Sequence, residues 1–240
     1  MTDEPYRWLE AIANRREYIR DQFREATPVL AVSRPEGIVL MGVGTGQSKV
    51  FELYDRLAMA AMGNPVDIER VRQTTIEAAH LEGFTRDPED VTARRLLNFS
   101  ICPALKNSFE QIFAAPLLVE MIVAEVAPEQ ANDVLARVSY DGTARFLTGG
   151  IAVVHTSSID EAAALEWLAS ELTPALSLKE VAGRMMAAWR SLVVGSPFVR
   201  PMVESGRILE VSGKTVEVAI LSRNSRTRAT YKPWTVEALA

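Results

Sequence analysis

Apolar residues recur at helical spacing near the start of the chain and then give way to short, almost continuous apolar runs. Between Pro5 and Arg24, Leu9, Ile12, Ile19 and Phe23 fall on one helical stripe, with Asp3, Glu4 and Pro5 as start signals. The runs Val29 to Ser33 and Ile38 to Val43 predict two strands, joined by a tight turn at Arg34-Pro35-Glu36-Gly37. Val50 to Leu53 and Leu57 to Met62 predict two more strands.

Asn64-Pro65-Val66-Asp67 supplies a cap, a proline at the first helical position and an acid near the N-terminus, predicting a helix with Ile68, Val71, Thr75 and Ala78 on one face. Asp87-Pro88-Glu89-Asp90 repeats that signal for a second long helix carrying Leu97, Ile101, Leu105 and Ile112 to about Phe113, with Pro103 kinking or interrupting it. Strands resume with Leu117 to Val126 and Val134 to Ser139. Asp141-Gly142 has the residues of a two-residue hairpin turn, and Phe146 to Val154 continues the sheet. Two capping boxes, Ser158 with Glu161 and Ser177 with Glu180, open a second helix pair whose latter member is lined by Leu178, Val181, Met185, Ala188 and Leu192. Val216 to Leu221 is the last clear strand, with Arg228 to Tyr231 as a possible partner. Gly195 to Gly213, holding Pro197, Pro201 and Gly206, reads as a surface insertion.

Two strand blocks, each followed by a helix pair, predict an α+β fold: two mainly antiparallel sheets packed face to face with helices outside. Sheets covered on both faces account for runs such as Ile38-Val39-Leu40-Met41, which do not alternate. At 240 residues one domain, 1–240, is expected, with 1–26 as an N-terminal tail and helix.

Composition narrows the function. No apolar run approaches the roughly 18–20 residues of a membrane span, and Arg7, Glu10, Arg15, Arg16, Glu17 and Arg20 exclude a signal-peptide core from the leader, so a cytoplasmic protein is expected. A single cysteine, Cys102, excludes an internal disulfide and a multi-cysteine metal site, and its apolar surroundings point to a buried, inert thiol. A net charge of −5 argues against nucleic acid as the main partner, and the short stretch Arg223-Asn224-Ser225-Arg226-Thr227-Arg228 does not overturn that.

Three groups invite a chemical reading. Gly42-Val43-Gly44-Thr45-Gly46-Gln47-Ser48-Lys49 is glycine-rich enough to wrap a phosphate, but it lacks a Gly-Lys-Ser/Thr ending and leads into a strand, so a glycine-rich turn between strands is expected. His80 and His155 lie in different elements and predict neither a metal site nor a Ser-His-Asp arrangement. Thr27, at the mouth of the first strand, is the better catalytic candidate, with Lys49 as an electrostatic aid. A threonine becomes a strong nucleophile when its own free α-amine acts as base. Here that amine is in a peptide bond unless the leader is removed, and Thr27 otherwise simply begins a strand.

Five stretches together resemble an α-type subunit of the 20S proteasome, closest to the bacterial type and within the N-terminal-nucleophile hydrolase superfamily. They are Thr27 to Gly44, Ser48 to Arg56, Asp90-Val91-Thr92-Ala93-Arg94-Arg95-Leu96, Tyr140-Asp141-Gly142-Thr143 and Val216 to Leu221. The resemblance covers most of the chain except Gly195 to Gly213. It implies a four-layer α-β-β-α sandwich preceded by an N-terminal helix. It also implies a homo-oligomeric, heptameric outer ring that docks β-type subunits of a threonine-type endopeptidase complex and gates the entry of unfolded proteins.

Mapped onto this chain, Thr27 stands where catalytic relatives place their nucleophile, but Ala26 replaces the glycine before the cleavage point and the acidic partner falls at about Val43. Only Lys49 survives of the usual set, which implies a non-catalytic member. In α-type relatives that lysine lies between subunits and binds the C-terminal carboxylate of a ring ATPase or other activator, a pairing an ammonium in a cleft can make. The pocket's other contributions map to Ala26 and Asn64, and Met1, Thr2, Asp3, Glu4, Pro5 and Tyr6 to a short gate at the axial opening. The leaders of neighbouring subunits would then hide the stripe of Leu9, Ile12, Ile19 and Phe23. No cofactor and no metal are implied. Two rival readings are a self-processing hydrolase using Thr27 and a stand-alone ring that serves as a binding module.

Overall fold

A computed structural model of the chain describes residues 5–195, 197–198 and 213–234. Helix α1 (Pro5–Gln22) precedes strands β1 (Val29–Arg34), β2 (Gly37–Gly44), β3 (Val50–Tyr54) and β4 (Leu57–Gly63). Helix α2 (Pro65–Thr85), a short α3 (Ala93–Leu96) and α4 (Cys102–Glu110) follow, then β5 (Val119–Glu125), β6 (Val134–Val138), β7 (Ala144–Leu147) and β8 (Ile151–Val154). Helices α5 (Ser158–Glu171) and α6 (Leu178–Val194) lead to β9 (Thr215–Ser222) and β10 (Tyr231–Trp234). The expected insertion between Gly195 and Gly213 lies largely outside the described residues, as do Met1 to Glu4.

The strands form two five-stranded sheets, ordered β10-β9-β2-β1-β8 and β3-β4-β5-β6-β7, and each pairing among the described residues is antiparallel. The sheets do not follow the two strand blocks of the sequence. β1 and β2 separate from β3 and β4, and the run expected as one strand, Phe146 to Val154, breaks at Thr148-Gly149-Gly150, placing β7 in one sheet and β8 in the other.

Alternate residues of the same strand serve different layers. Val29, Ala31, Ile38, Leu40, Ala219 and Leu221 face β3–β6 across the middle of the sandwich, meeting Val50, Ala58, Ala60, Met62, Ile122 and Ala124. Leu30, Val32, Val39, Met41, Val218 and Ile220 point the other way, against α5 and α6, with Trp189 of α6 among them. Leu57, Met59, Ala61, Met121 and Val123 pack under α2, α3 and α4. The four-layer sandwich explains the apolar runs: β1 and β2 are buried along their whole length because both faces are covered.

Several element starts differ from the sequence reading. Asp87 caps only a 3-10 turn over Pro88–Asp90. The helix restarts with Thr92 as its cap, and Glu125 accepts the Ala93 amide at 2.7 Å. Pro103 acts just upstream of itself: having no N–H and a ring that crowds the carbonyl four residues back, it sits after a wider π turn, Leu97–Ile101, in which the Cys102 amide bonds the Leu97 carbonyl. The helix ends at Glu110, short of Phe113. Ser157, not Ser158, caps α5, and Glu161 turns instead to Arg137. The Ser177–Glu180 capping box of α6 forms as expected. The β6–β7 connection spans five residues, with Gly142 at φ +81° donating to Ser139 and the Ser139 amide bonding Thr143.

The leader helix belongs to the body of the molecule. Ile19 and Phe23 are buried in the inter-sheet core with Ile12 partly covered, and Phe23 stacks on Tyr140 with centroids 6.2 Å apart. Arg15 donates to the carbonyls of Ser108 (2.8 Å), Ala114 (2.8 Å) and Ile112 (3.4 Å), satisfying acceptors left free where α4 ends. So half of the expected stripe is covered by the chain's own core, and among the described residues Trp8, Leu9 and Tyr18 are the large hydrophobic leader side chains that remain exposed.

Arg223 is the other long-range anchor. Its guanidinium takes both oxygens of Asp133 at 2.8 Å, the carbonyls of Arg34 and Pro35 at 2.9 Å, and the Ala127 carbonyl. Side-chain exposures of 8% for Arg223 and 3% for Asp133 make this a buried pair, which joins the β1–β2 turn to the β5–β6 connection. Arg223→Ala strands a buried carboxylate and is expected to lower unfolding stability by about 3–5 kcal/mol. A wild-type midpoint in urea would show that Arg223 is not an anchor.

Candidate functional site

The candidate site lies at the end of the sandwich where β1, β3 and β9 begin and β2 ends. The Thr45–Lys49 loop carries the chain from β2 in one sheet to β3 in the other, so the glycine-rich segment is an inter-strand turn that leads into a strand and not into a helix. Thr27 precedes β1 and is half-buried. Its hydroxyl donates to the Val43 carbonyl at 2.5 Å, and its own carbonyl accepts the Lys49 ammonium at 3.0 Å.

This arrangement brings Thr27 and Lys49 together without the geometry of a nucleophile. Lys49 addresses the Thr27 carbonyl rather than its hydroxyl, and the Thr27 amine is a peptide nitrogen whose preceding residues are folded against the core. Nucleophilic attack needs a base within reach of the hydroxyl proton. Here that proton is engaged by a backbone oxygen.

Lys49 is held at both ends. Its amide and that of Val50 donate to one carboxylate oxygen of Glu217, at 2.7 and 3.1 Å. Its stem lies against Gly42 and Gly44, where a Cβ on Gly42 would come within 2.7 Å of the Lys49 Cβ. Burial pulls the ammonium down to about 8. Glu217 opposes that shift, and Lys214 adds to it. Nearby, Tyr231 of β10 donates to the Val50 carbonyl at 3.3 Å, and its own hydroxyl is pushed up to about 12 by burial, then by Glu217 and Glu52.

The remaining candidates fall in different places. Ala26 adjoins Thr27, partly buried against the inter-sheet core, with its amide bonded to the Phe23 carbonyl at 2.9 Å. Asn64 stands three residues beyond Ala61, whose amide bonds the Lys49 carbonyl, but its side chain caps α2 by accepting the amides of Val66 and Asp67. Among the described residues no hydrogen bond joins Asn64 to Lys49. Of the gate residues, Met1, Thr2, Asp3 and Glu4 lie outside the described residues, and Pro5 and Tyr6 open the backbone of α1.

The histidines and the cysteine have ordinary surroundings. His80 makes an edge contact with Tyr54 at 5.3 Å, and His155, at the end of β8, accepts the Ser157 amide. Burial raises the half-buried Cys102 thiol. Among the described residues no group of three or more His, Cys, Asp or Glu side chains could hold a metal ion, and no helix is long and apolar enough to cross a membrane.

Sequence reading missed Glu217, which lies 168 residues from Lys49 and acts only through the β2–β9 pairing. It also missed a buried cluster at the same end, in which Arg137 of β6 bonds Glu120 of β5 at 3.0 Å and Glu161 of α5 at 2.8 Å. Burial raises both carboxyls against the pull of Arg137. The one signal available was the two-residue spacing of Gly42 and Gly44, which puts both on one face of β2.

A scan of protein-family models returned no match. Curated relatives do match over nearly the whole chain. The proteasome subunit alpha of Renibacterium salmoninarum is 30% identical over 226 residues, covering 91% of this chain and 84% of that protein. Those of Streptomyces griseus (28% over 225 residues, 93% and 77%) and Thermomonospora curvata (29% over 222 residues, 91% and 88%) are similar. With two antiparallel sheets between helix layers, a leader helix folded onto them and a Thr27 hydroxyl bonded to a backbone carbonyl, the chain belongs to the proteasome α-subunit family, as a non-catalytic member.

Proposed function

We propose that this subunit assembles with copies of itself into the outer ring of a cytoplasmic core particle. One face of the ring docks a ring of β-type protease subunits and the other an activator such as a ring ATPase, so that only unfolded chains are admitted. Lys49 is the receptor for the activator's C-terminal carboxylate, in a pocket to which Ala26 and Asn64 of the ring contribute. The supporting observation is the Lys49 ammonium itself: it is drawn into a half-buried setting with a neutral carbonyl as its hydrogen-bond partner, so an incoming carboxylate would supply the missing charge.

Exposed Trp8, Leu9 and Tyr18 on α1 support a role for the leader between neighbouring copies, because Ile19 and Phe23 already hold the helix to its own subunit. A closed ring of identical chains is heterologous, and its contact surfaces must differ and complement each other. Residues Met1 to Tyr6 would lie at the axial opening as a short gate.

Lys49→Ala should abolish activator-stimulated degradation by the assembled particle while native mass shows an intact ring. The lost charge-assisted bond corresponds to a fall in affinity of about tenfold or more. Stimulation equal to wild type would remove Lys49 from the receptor role. The same site should be pH-sensitive: the ammonium is charged below about 8 and neutral above it, so carboxyl-terminal peptide affinity should drop by about tenfold from pH 7 to pH 9. An amidated peptide serves as the control, and a flat profile would contradict the reading. Deleting Met1 to Tyr6 should raise peptide hydrolysis in the absence of activator; an unchanged basal rate would mean that this tail is not the gate.

A further inference from the structure

The inner face of β2 reads Ile38, Leu40, Gly42, Gly44. Ile38 and Leu40 fill the space between the sheets, and the two glycines leave it open. The aliphatic stem of Lys49 occupies that opening: a Cβ on Gly42 would stand 2.7 Å from its Cβ and 3.5 Å from its Cδ, while one on Gly44 would stand 3.0 Å from the Gln47 carbonyl and in ordinary contact, 3.5 Å, with the lysine's Cε. A side chain at Gly42 and the present course of Lys49 are therefore mutually exclusive.

Pairing of β2 with β9 sets Gly42 opposite Glu217. Because Glu217 shares its face of the sheet with Ala219 and Leu221, its carboxylate points into the same space as the Lys49 stem. Its Oε2 accepts the amides of Lys49 and Val50. Two amides on one carboxylate oxygen fix the backbone where the loop becomes β3, and the stem then runs over the glycines to the Thr27 carbonyl.

We infer that Gly42, Gly44 and Glu217 are positioning residues for Lys49, the glycines forming a track for its stem and the carboxylate fixing the backbone from which it springs. The use of Lys49 as a carboxylate receptor rests on the function proposed above; its positioning is measurable without any ligand. The Thr27 carbonyl accepts the ammonium, Glu217 on β9 and Lys214 just before it act on its charge, and Tyr231 of β10 is in turn influenced by Glu217 and by Glu52 of β3. Glu217 is the carboxylate that counters the effect of burial on Lys49.

The test is a carbon-13 titration of the lysine side chains in the full chain, with the Lys49 signal assigned by its loss in Lys49→Arg. Wild type should titrate near 8. Glu217→Gln should lower that midpoint by about one pH unit, since it removes an opposing charge. Gly42→Ala should raise it, since the added methyl lifts the stem toward water. Opposite shifts confined to Lys49 are not what a general loss of structure produces. If both variants fold and both keep the wild-type midpoint, the inference is overturned; if Gly42→Ala does not fold, Glu217→Gln alone decides. In a second arm, a peptide with a free C-terminal carboxylate should bind the assembled Glu217→Gln particle about threefold more weakly at pH 7.5, following the lost protonation. Shifted Lys49 midpoints with unchanged peptide binding would uphold the positioning and reject the receptor reading.

Discussion

Burial of both faces of the central strands of both sheets is the constraint from which the rest of this structure follows. Strands β1 and β2 have no exposed position, and each fully buried aliphatic side chain contributes about 1.5–3 kcal/mol of transfer free energy. A strand so placed cannot carry a charged side chain in its middle without a partner. In these two strands the polar side chains, Ser33 and Arg34, therefore lie at one end. At that end the Arg223–Asp133 pair ties the β1–β2 turn to the β5–β6 connection. At the other stand the Arg137 cluster and the Lys49–Glu217 arrangement.

The two ends differ in how completely their charges are met. Arg223 places all three guanidinium nitrogens on acceptors, two of them shared with a carboxylate. Lys49 has a backbone carbonyl and a carboxylate committed to backbone amides. A half-buried ammonium so served is a poor stabiliser, because a well-packed apolar side chain in its place avoids the desolvation cost altogether. Glycine at 42 makes the same point from the other side, since a side chain there and the present course of the lysine exclude each other. Stability alone does not call for that exchange.

The fold was legible where physics is local. The periodic apolar runs, Asn64-Pro65, Ser177 with Glu180 and the turn at Pro35 gave elements whose ends lie within a residue or two of the observed ones. Misreadings arose where a distant partner decided between local choices. Ser157 displaced Ser158 as the cap because Glu161 is held by Arg137 and the His155 amide. The break between β7 and β8 carried two glycines, but only the assignment of the strands to different sheets makes it a crossing. Lys49 was legible through resemblance, whereas Glu217 was not, since nothing local to it marks a carboxylate whose role is set by strand register.

Thr27 shows how a fold can keep a position and change its use. In catalytic relatives, as the resemblance implies, the segment before this residue is removed and the freed amine serves as base. Here the corresponding segment is bound into the core by Ile19, by Phe23 on Tyr140 and by Arg15 on the end of α4. Phe23 also lies against Gly63 at the end of β4, within 3.1 Å of where a Cβ would stand. Removing the leader would uncover two large apolar side chains' worth of core and leave the α4 carbonyls without their donor, so cleavage before Thr27 works against folding rather than completing it. With the leader retained, the Thr27 carbonyl stays fixed as the Lys49 acceptor, and the place of a nucleophile becomes the floor beneath a cation.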